Sequence, residues 1–111
     1  MAATLQRLQV LSEEAQLDQS DLARIFDTST RTVTRWLRAE ATPRRDAHER
    51  MLETIVVLDR LIKVLGAGAS YNWLLTPVPM LRYEKPIDLL SRGGYRDVIG
   101  ALDAIEAGVF L

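Results

Sequence analysis

Arginines are concentrated in one short stretch of the chain, at a spacing suited to nucleic-acid recognition. Residues 28–45 hold five Arg and one acidic residue, whereas the formal net charge of the whole chain is −1. With about 100° per residue around a helix axis, Arg31, Arg35 and Arg38 share one narrow sector, flanked by Thr34. Guanidinium groups can bond bidentately to guanine, and hydroxyl groups can reach phosphates or bases. The pattern predicts a basic, DNA-contacting helix face.

The opposite side of this predicted helix is apolar. Val33, Trp36 and Leu37 lie there, so one face can be buried while the other meets a ligand. Ser29 can cap the helix, and together with Thr30 it lies at the positive helix end, where backbone N–H groups can bind a phosphate.

Two further arginines extend the positive patch. Arg44 and Arg45 follow Pro43, which is predicted to stop the helix, and are expected to contact phosphates rather than bases. The predicted DNA-binding residues are therefore Ser29, Thr30, Arg31, Thr34, Arg35, Arg38, Arg44 and Arg45. The simpler alternative is a solvated helix face that carries a run of charges.

Other residues offer little support for catalysis. The chain has no cysteine, which excludes disulfides, thiolate nucleophiles and cysteine-based zinc sites. The single histidine, His48, has no second histidine or base beside it and is expected to be solvated. Asp97, Asp103 and Glu106 lack a matching Ser, Cys or His. We therefore expect no enzyme activity, no metal and no cofactor.

The elements that must position the arginines are all predicted to be helices. An amphipathic helix near the N-terminus precedes "LDQSDLARIF", for which Asp18 is the predicted N-cap. A short helix, a tight turn and a basic second helix are typical of a helix-turn-helix domain. No segment alternates with a period of two, so we predict an all-α fold.

The second half begins with a long helix, "AHERMLETIVVLDRLIKVLG", which is predicted to end at Gly66. It is apolar over more than half of its surface and needs cover on two sides, one of which could be a second subunit. A short helix is predicted at 71–75, and an extended path at Pro77 and Pro79. Pro86 is predicted to begin another helix, and "YRDVIGALDAIEAG" forms the last one.

The 111 residues suit one compact domain or two very small ones that share a core. We predict a helix-turn-helix domain at 1–45, and a long helix with a small helical C-terminal domain at 46–111. No apolar run reaches membrane-spanning length, and "MAATLQRLQV" lacks the layout of a signal peptide. We expect a cytoplasmic protein with no membrane partner.

The sequence ends in "EAGVFL", an apolar segment that needs cover. Val109, Phe110 and Leu111 follow Gly108 and have no further helix to rest on. Burial of one Phe and one Leu side chain could contribute about 3–5 kcal/mol before ordering costs. The cover could be the last helix, the seam of a dimer, or another protein.

Two stretches resemble known families. "LDQSDLARIFDTSTRTVTRWLRAEATP" resembles the Xre-type helix-turn-helix, and "YNWLLTPVPMLRYEKPIDLLSRGGYRDVIGALDAIEAGVFL" resembles the toxin-binding domain of the Xre/MbcA/ParS antitoxins. The second resemblance rests on Trp73, Leu74, Pro77, Leu81, Pro86, Asp88, Leu89, Leu90, Val98, Leu102, Ile105, Gly108 and Val109. A chain this short is most similar to the MbcA branch.

The resemblance implies the antitoxin of a type II toxin–antitoxin pair. Partners of that family are RES-domain toxins that degrade NAD or transfer ADP-ribose. The long helix and the C-terminal domain would form a homodimer and the toxin contact, in a higher hetero-oligomer whose antitoxin terminus obstructs the toxin's active-site entrance. The implied toxin-binding residues are Trp73, Leu81, Gly108, Val109, Phe110 and Leu111. The basic helix would bind the operator DNA of its own operon and repress it. The alternative is a free-standing dimeric helix-turn-helix transcriptional regulator.

Overall fold

The computed structural model describes residues 1–108, and its regular elements are helical. They are α1 (Ala2–Glu14), α2 (Gln19–Ile25), α3 (Thr30–Leu37), α4 (Arg45–Leu65), α5 (Ala67–Leu74), a single 3-10 turn (Pro79–Leu81), α6 (Pro86–Ser91) and α7 (Tyr95–Glu106). Within residues 1–108 the only extended pairing is one isolated bridge between Val78 and Glu84. The all-α prediction is confirmed.

Local sequence signals define several helix ends. The Asp18 carboxylate accepts a hydrogen bond from the Asp21 backbone N–H at 2.9 Å, and the Asp21 carboxylate accepts one from the Asp18 N–H at 2.9 Å. This reciprocal pair is a capping box. Ser29 caps α3, Gly66 ends α4 with φ of 81°, and Pro86 is the first residue of α6. These four predictions are confirmed.

Helix α4 is the central element of the hydrophobic core. It packs against α1 on one side and against α7 on another. Met51, Val57, Leu58 and Leu61 on this helix are fully buried. Each such side chain contributes about 1.5–3 kcal/mol when it is removed from water, so α4 supplies much of the stability of both halves.

A second apolar strip on α4 is exposed. Leu52 and Val56 lie one helical turn apart, with 46% and 54% of their surface exposed. This strip belongs to the helix for which the sequence predicts cover on two sides.

Helix α3 ends earlier than predicted. Its last residue is Leu37, so Pro43 does not stop it. The helix closes because Ala39 adopts a left-handed φ of 57° and the N–H of Glu40 bonds to the Arg35 carbonyl at 2.8 Å. A glycine would have signalled this end, but the sequence has alanine there.

The segment between α4 and α6 also differs from prediction. Helix α5 begins at Ala67, four residues before the predicted start, and the Ser70 hydroxyl donates to the Gly66 carbonyl at 2.7 Å. The proline segment is extended at Val78, but Pro79 begins the 3-10 turn, so the prediction of an extended path at Pro79 is wrong. Within residues 1–108, no helix combines the length and the apolar composition needed to cross a membrane.

Candidate functional site

Helix α3 separates a polar face from an apolar one. Arg31, Arg35 and the C-cap residue Arg38 are exposed, whereas Val33 and Trp36 are buried, with 1% and 8% of their surface exposed. The Trp36 ring packs edge-on against Phe26, with 5.9 Å between ring centroids. Because this contact anchors α3 beside α2, the arginines are held on a fixed outer surface.

The hydroxyl groups near the start of α3 have different surroundings. The Ser29 hydroxyl accepts a hydrogen bond from the Thr32 N–H at 3.1 Å, so it is engaged in capping the helix. The Thr34 hydroxyl donates to the Gln19 side chain on α2. Thr30 is exposed at the first helical position. The arrangement leaves Thr30 and the neighbouring backbone N–H groups as the part of this end most open to an anion.

Arg44 and Arg45 are exposed at the start of α4. Arg45 Nε lies 3.3 Å from the Glu49 carboxylate, but 94% of the Arg45 side chain is exposed. An ion pair this open to water is weak, so the guanidinium can exchange Glu49 for another anion. All five predicted arginines are thus exposed, on α3, at its C-cap and at the start of α4.

The N-terminus of α2, the helix that packs against α3, carries two carboxyl groups with shifted pKa values. Hydrogen bonds from the Ser20 hydroxyl and from the Asp21 backbone N–H lower the pKa of Asp18. Burial raises the pKa of Asp21. The Asp18 carboxylate is therefore charged at neutral pH and complements the positive end of α2.

The predicted toxin-binding residues within the described range lie on different elements. Trp73 is half-buried on α5, Leu81 in the 3-10 turn is 7% exposed, and Gly108 is exposed after α7 with φ of 83°. Val109, Phe110 and Leu111 lie outside the described residues.

A groove of about 470 Å³ lies between the 3-10 turn, α6 and α7. The buried side chains of Leu81, Leu89 and Ala101 line it, with 7%, 8% and 2% of their surface exposed. Arg82 and Arg96 are exposed lining residues. Leu81 therefore lines a groove that a partner side chain could enter.

A strained turn borders the groove. Arg82 and Tyr83 have left-handed φ values of 58° and 63°, and the N–H of Glu84 bonds to the Leu81 carbonyl at 3.1 Å, which together make a type I′ turn. Each left-handed residue other than glycine costs about 1–2 kcal/mol. Tyr83 is nevertheless 72% exposed. No sequence signal marks this turn, because it carries neither glycine nor asparagine.

A structural role of Arg50 was also not predicted from the sequence. Arg50 Nη1 donates to the carbonyls of Leu90 and Ser91 at 3.1 Å each, and to that of Ile25 at 3.4 Å. Arg50 on α4 therefore satisfies carbonyls at the ends of both α2 and α6. Its partners lie 25 to 41 residues away, and no local sequence signal indicates them.

His48 is less exposed to solvent than predicted. The residue is half-buried, and its Nε2 atom is enclosed with no hydrogen-bond partner among residues 1–108. The same part of the chain contains no group of three potential metal ligands.

Comparison with known proteins identifies relatives along nearly the whole chain. Residues 60–108 match the antitoxin Xre/MbcA/ParS C-terminal toxin-binding domain. The mycobacterial cidal antitoxins MbcA of Mycobacterium bovis and Mycobacterium tuberculosis are each 33% identical over 99 residues, which span 89% of this chain and 88% of the relative. A probable mycobacterial cidal antitoxin of Mycobacterium tuberculosis is 27% identical over the full length of both chains.

A solved structure shares the fold. A chain in the crystal structure of the Mycobacterium tuberculosis MbcT–MbcA toxin–antitoxin complex superposes with a TM-score of 0.85 at 31% identity, over 96% of each chain. The relatives are antitoxins, a class of binding proteins, which confirms the expectation that this chain is not an enzyme. The matched domain, the identity over most of the length and the shared fold show that the chain belongs to the Xre/MbcA/ParS antitoxin family, as an MbcA-like member.

Proposed function

We propose that this chain is the antitoxin of a type II toxin–antitoxin pair, and that it binds and inhibits a RES-domain, NAD-consuming toxin. The observation that carries the proposal is the match of residues 60–108 to an antitoxin toxin-binding domain. The shared fold with a chain of the MbcT–MbcA complex supports it.

In this proposal, residues 109–111 enter the entrance of the toxin's active site and obstruct access to NAD. Gly108 supports this arrangement because its left-handed φ of 83° is incompatible with continuation of the α7 helix. Phe110 and Leu111 would contribute about 3–5 kcal/mol of apolar burial before ordering costs. Trp73 and Leu81 would add contacts, Leu81 through the groove.

The N-terminal half would bind the operator DNA of the antitoxin's own operon and repress it. Residues 1–45 would act as a helix-turn-helix domain, in which α3 enters the major groove and α2 supports it. The exposed arginines of α3 support this role, together with Arg44 and Arg45. Residues 46–111 would carry the toxin contact. Both DNA and NAD are cytoplasmic, so the proposal places the protein in the cytoplasm.

The protein would act as a homodimer that assembles with the toxin into a higher hetero-oligomer. The exposed strip of Leu52 and Val56 on α4 supports the dimer, because apolar side chains one turn apart fit the same strip on a second copy.

The test is co-expression of this chain with the product of the adjacent gene. We expect the two proteins to co-purify, and we expect the chain to abolish both toxicity and NAD consumption by the toxin. A variant that lacks residues 109–111 should inhibit less while it keeps the helical circular-dichroism signal. Full protection by that variant would contradict the active-site obstruction, and absence of any complex would contradict the antitoxin function.

A second candidate is a free-standing dimeric helix-turn-helix regulator that binds DNA but no toxin. The basic face of α3 favours this candidate, because DNA binding by this face would not require a toxin. Such a regulator would bind promoter DNA, would not co-purify with the neighbouring product and would leave its toxicity unchanged.

A further inference from the structure

The turn at Arg82 and Tyr83 holds the backbone in a conformation that these residues disfavour. Glycine and asparagine adopt left-handed φ values more readily than residues with larger side chains, and type I′ turns strongly prefer Asn-Gly at the two central positions. The fold imposes the turn through Val78. Its N–H donates to the Glu84 carbonyl at 3.1 Å, and its carbonyl accepts from the Tyr83 N–H at 2.9 Å.

The side chain of Tyr83 gains little from the rest of the protein. It is 72% exposed, more than the other exposed large hydrophobic side chains of residues 1–108. Tyrosine and arginine are enriched among the residues that dominate protein–protein binding. Strained backbone conformations cluster at binding segments, so the turn is a candidate contact for a partner.

The neighbouring groove provides an apolar pocket beside this turn. Gly100 of α7 lines the groove, and a Cβ atom added there would meet no atom within 4 Å. The absence of a side chain at Gly100 therefore leaves the groove lining open at this position. A glycine in a helix interior costs stability relative to alanine, so the opening carries a small structural penalty.

The rim of the groove is positively charged. The Glu84 carboxylate is neutralised by Arg92, which donates to its two oxygens at 2.8 and 2.7 Å. Arg82 and Arg96 form no ion pair with another residue of 1–108, and Asp97 is the remaining carboxylate at the rim. Two guanidinium groups against one carboxylate favour an anionic group on a partner.

We propose that the type I′ turn and the adjoining groove form a second toxin-contact surface, which receives an apolar toxin side chain beside a carboxylate. The inference rests on the proposed antitoxin function, because the surface lies within the matched range 60–108. Gly100 precedes Glu106, the last residue of α7, by about 9 Å along the helix axis, at 1.5 Å per residue. The surface is composed of residues other than those of the segment 109–111.

Two substitutions of Tyr83 test the turn. Tyr83→Gly removes the ring and relieves the strain, so the thermal midpoint should rise while the dissociation constant for the purified toxin increases at least tenfold. Tyr83→Ala removes the ring but keeps the strain, so the affinity should fall similarly with little change in the thermal midpoint. Binding of both variants within twofold of the wild-type affinity would overturn the role of the turn.

A matched pair of glycine substitutions tests the groove. Gly100→Gln fills the opening, whereas Gly68→Gln on α5 introduces the same side chain where a Cβ also meets no atom within 4 Å. We expect a loss of toxin affinity of at least tenfold for Gly100→Gln and less than twofold for Gly68→Gln. Equal effects of the two would overturn the groove contact. If the wild-type chain itself fails to bind the toxin, both the antitoxin function and this inference are wrong, whereas unaffected variants overturn this inference alone.

Discussion

Arg24 on α2 donates a hydrogen bond to Asp88 on α6, with 2.6 Å between Nη2 and Oδ1. The pair joins α2, which packs beside the basic helix α3, to the range 60–108 that matches the antitoxin toxin-binding domain. Its side chains are 45% and 38% exposed, so its contribution to stability is small, about 0.2–1 kcal/mol. The connection between α2 and α6 therefore depends more on the partly buried Arg50, which bonds to carbonyls at the ends of both helices.

Replacement of Arg50 should destabilise the whole fold. Arg50→Met keeps much of the side-chain volume but leaves the carbonyls of Leu90 and Ser91 without their donor, so we expect a loss of about 1–3 kcal/mol. Urea denaturation measures it. Arg45→Met on the same helix removes an exposed guanidinium and should cost less than about 0.5 kcal/mol. Equal effects of the two substitutions would contradict the bridging role of Arg50.

The stability of the α1–α4 contact should decrease in acid. The Lys63 ammonium and the Arg7 guanidinium lower the pKa of Asp59 in the folded protein. The contribution of Asp59 is therefore complete above its unfolded pKa and is lost as the pH falls below about 4 toward the folded value.

Comparison of the wild type with Asp59→Asn isolates this contribution. The free energy of unfolding of the wild type should exceed that of Asp59→Asn at pH 7, and this difference should shrink at pH 3. A difference that grows in acid would mean that the pKa of Asp59 is raised rather than lowered.

Binding to a fragment of the operon's own promoter should depend on the basic face and on salt. Arg35→Ala should weaken binding by about 1–3 kcal/mol if the side chain reaches a base. For the wild type, the logarithm of the association constant for DNA should fall linearly with the logarithm of the salt concentration. Lys63→Ala removes a cation that is 69% exposed outside this face and should leave the affinity nearly unchanged. Electrophoretic mobility shifts over a salt series measure both. Salt-independent binding, or equal effects of the two variants, would exclude this interface.

The exposed strip on α4 should determine the oligomeric state. Val56→Glu places a charge where a second copy would bury an apolar side chain, so the dimer should dissociate at micromolar concentration while the helical content is retained. Val10→Glu on α1 changes another exposed valine, with 42% of its surface exposed, and should leave the dimer intact. Sedimentation equilibrium distinguishes the outcomes, and a dimer that survives Val56→Glu must use a different surface.

The starts of α2, α3 and α6 were predictable because their signals are local. Asp18 and Ser29 accept hydrogen bonds from N–H groups three residues away, and Pro86 begins a helix through its own fixed φ. The basic and apolar faces of α3 follow from periodicity alone. The early end of α3 was not predictable, because Ala39 takes a left-handed conformation that the sequence would signal with glycine.

The groove and the Arg50 contacts were not predictable for a different reason. The groove is assembled from the 3-10 turn, α6 and α7, whose side chains meet only after the chain has folded. Arg50 reaches carbonyl groups, which every residue carries and no residue type indicates. Both features depend on tertiary packing, which a single sequence does not encode in its local spacing.

Helix α4 buries its side chains against α1 and against α7 at once. If the chain were cut before residue 46, the N-terminal fragment would lose α4, the helix that covers α1. The C-terminal fragment would expose the side of α4 that packs against α1 in the intact protein. Recombination with a relative at that point would therefore yield mismatched cores. Under the proposed function, new operators and new toxins would be reached through substitutions on the outer surfaces, and the two proposed recognition properties would be inherited together.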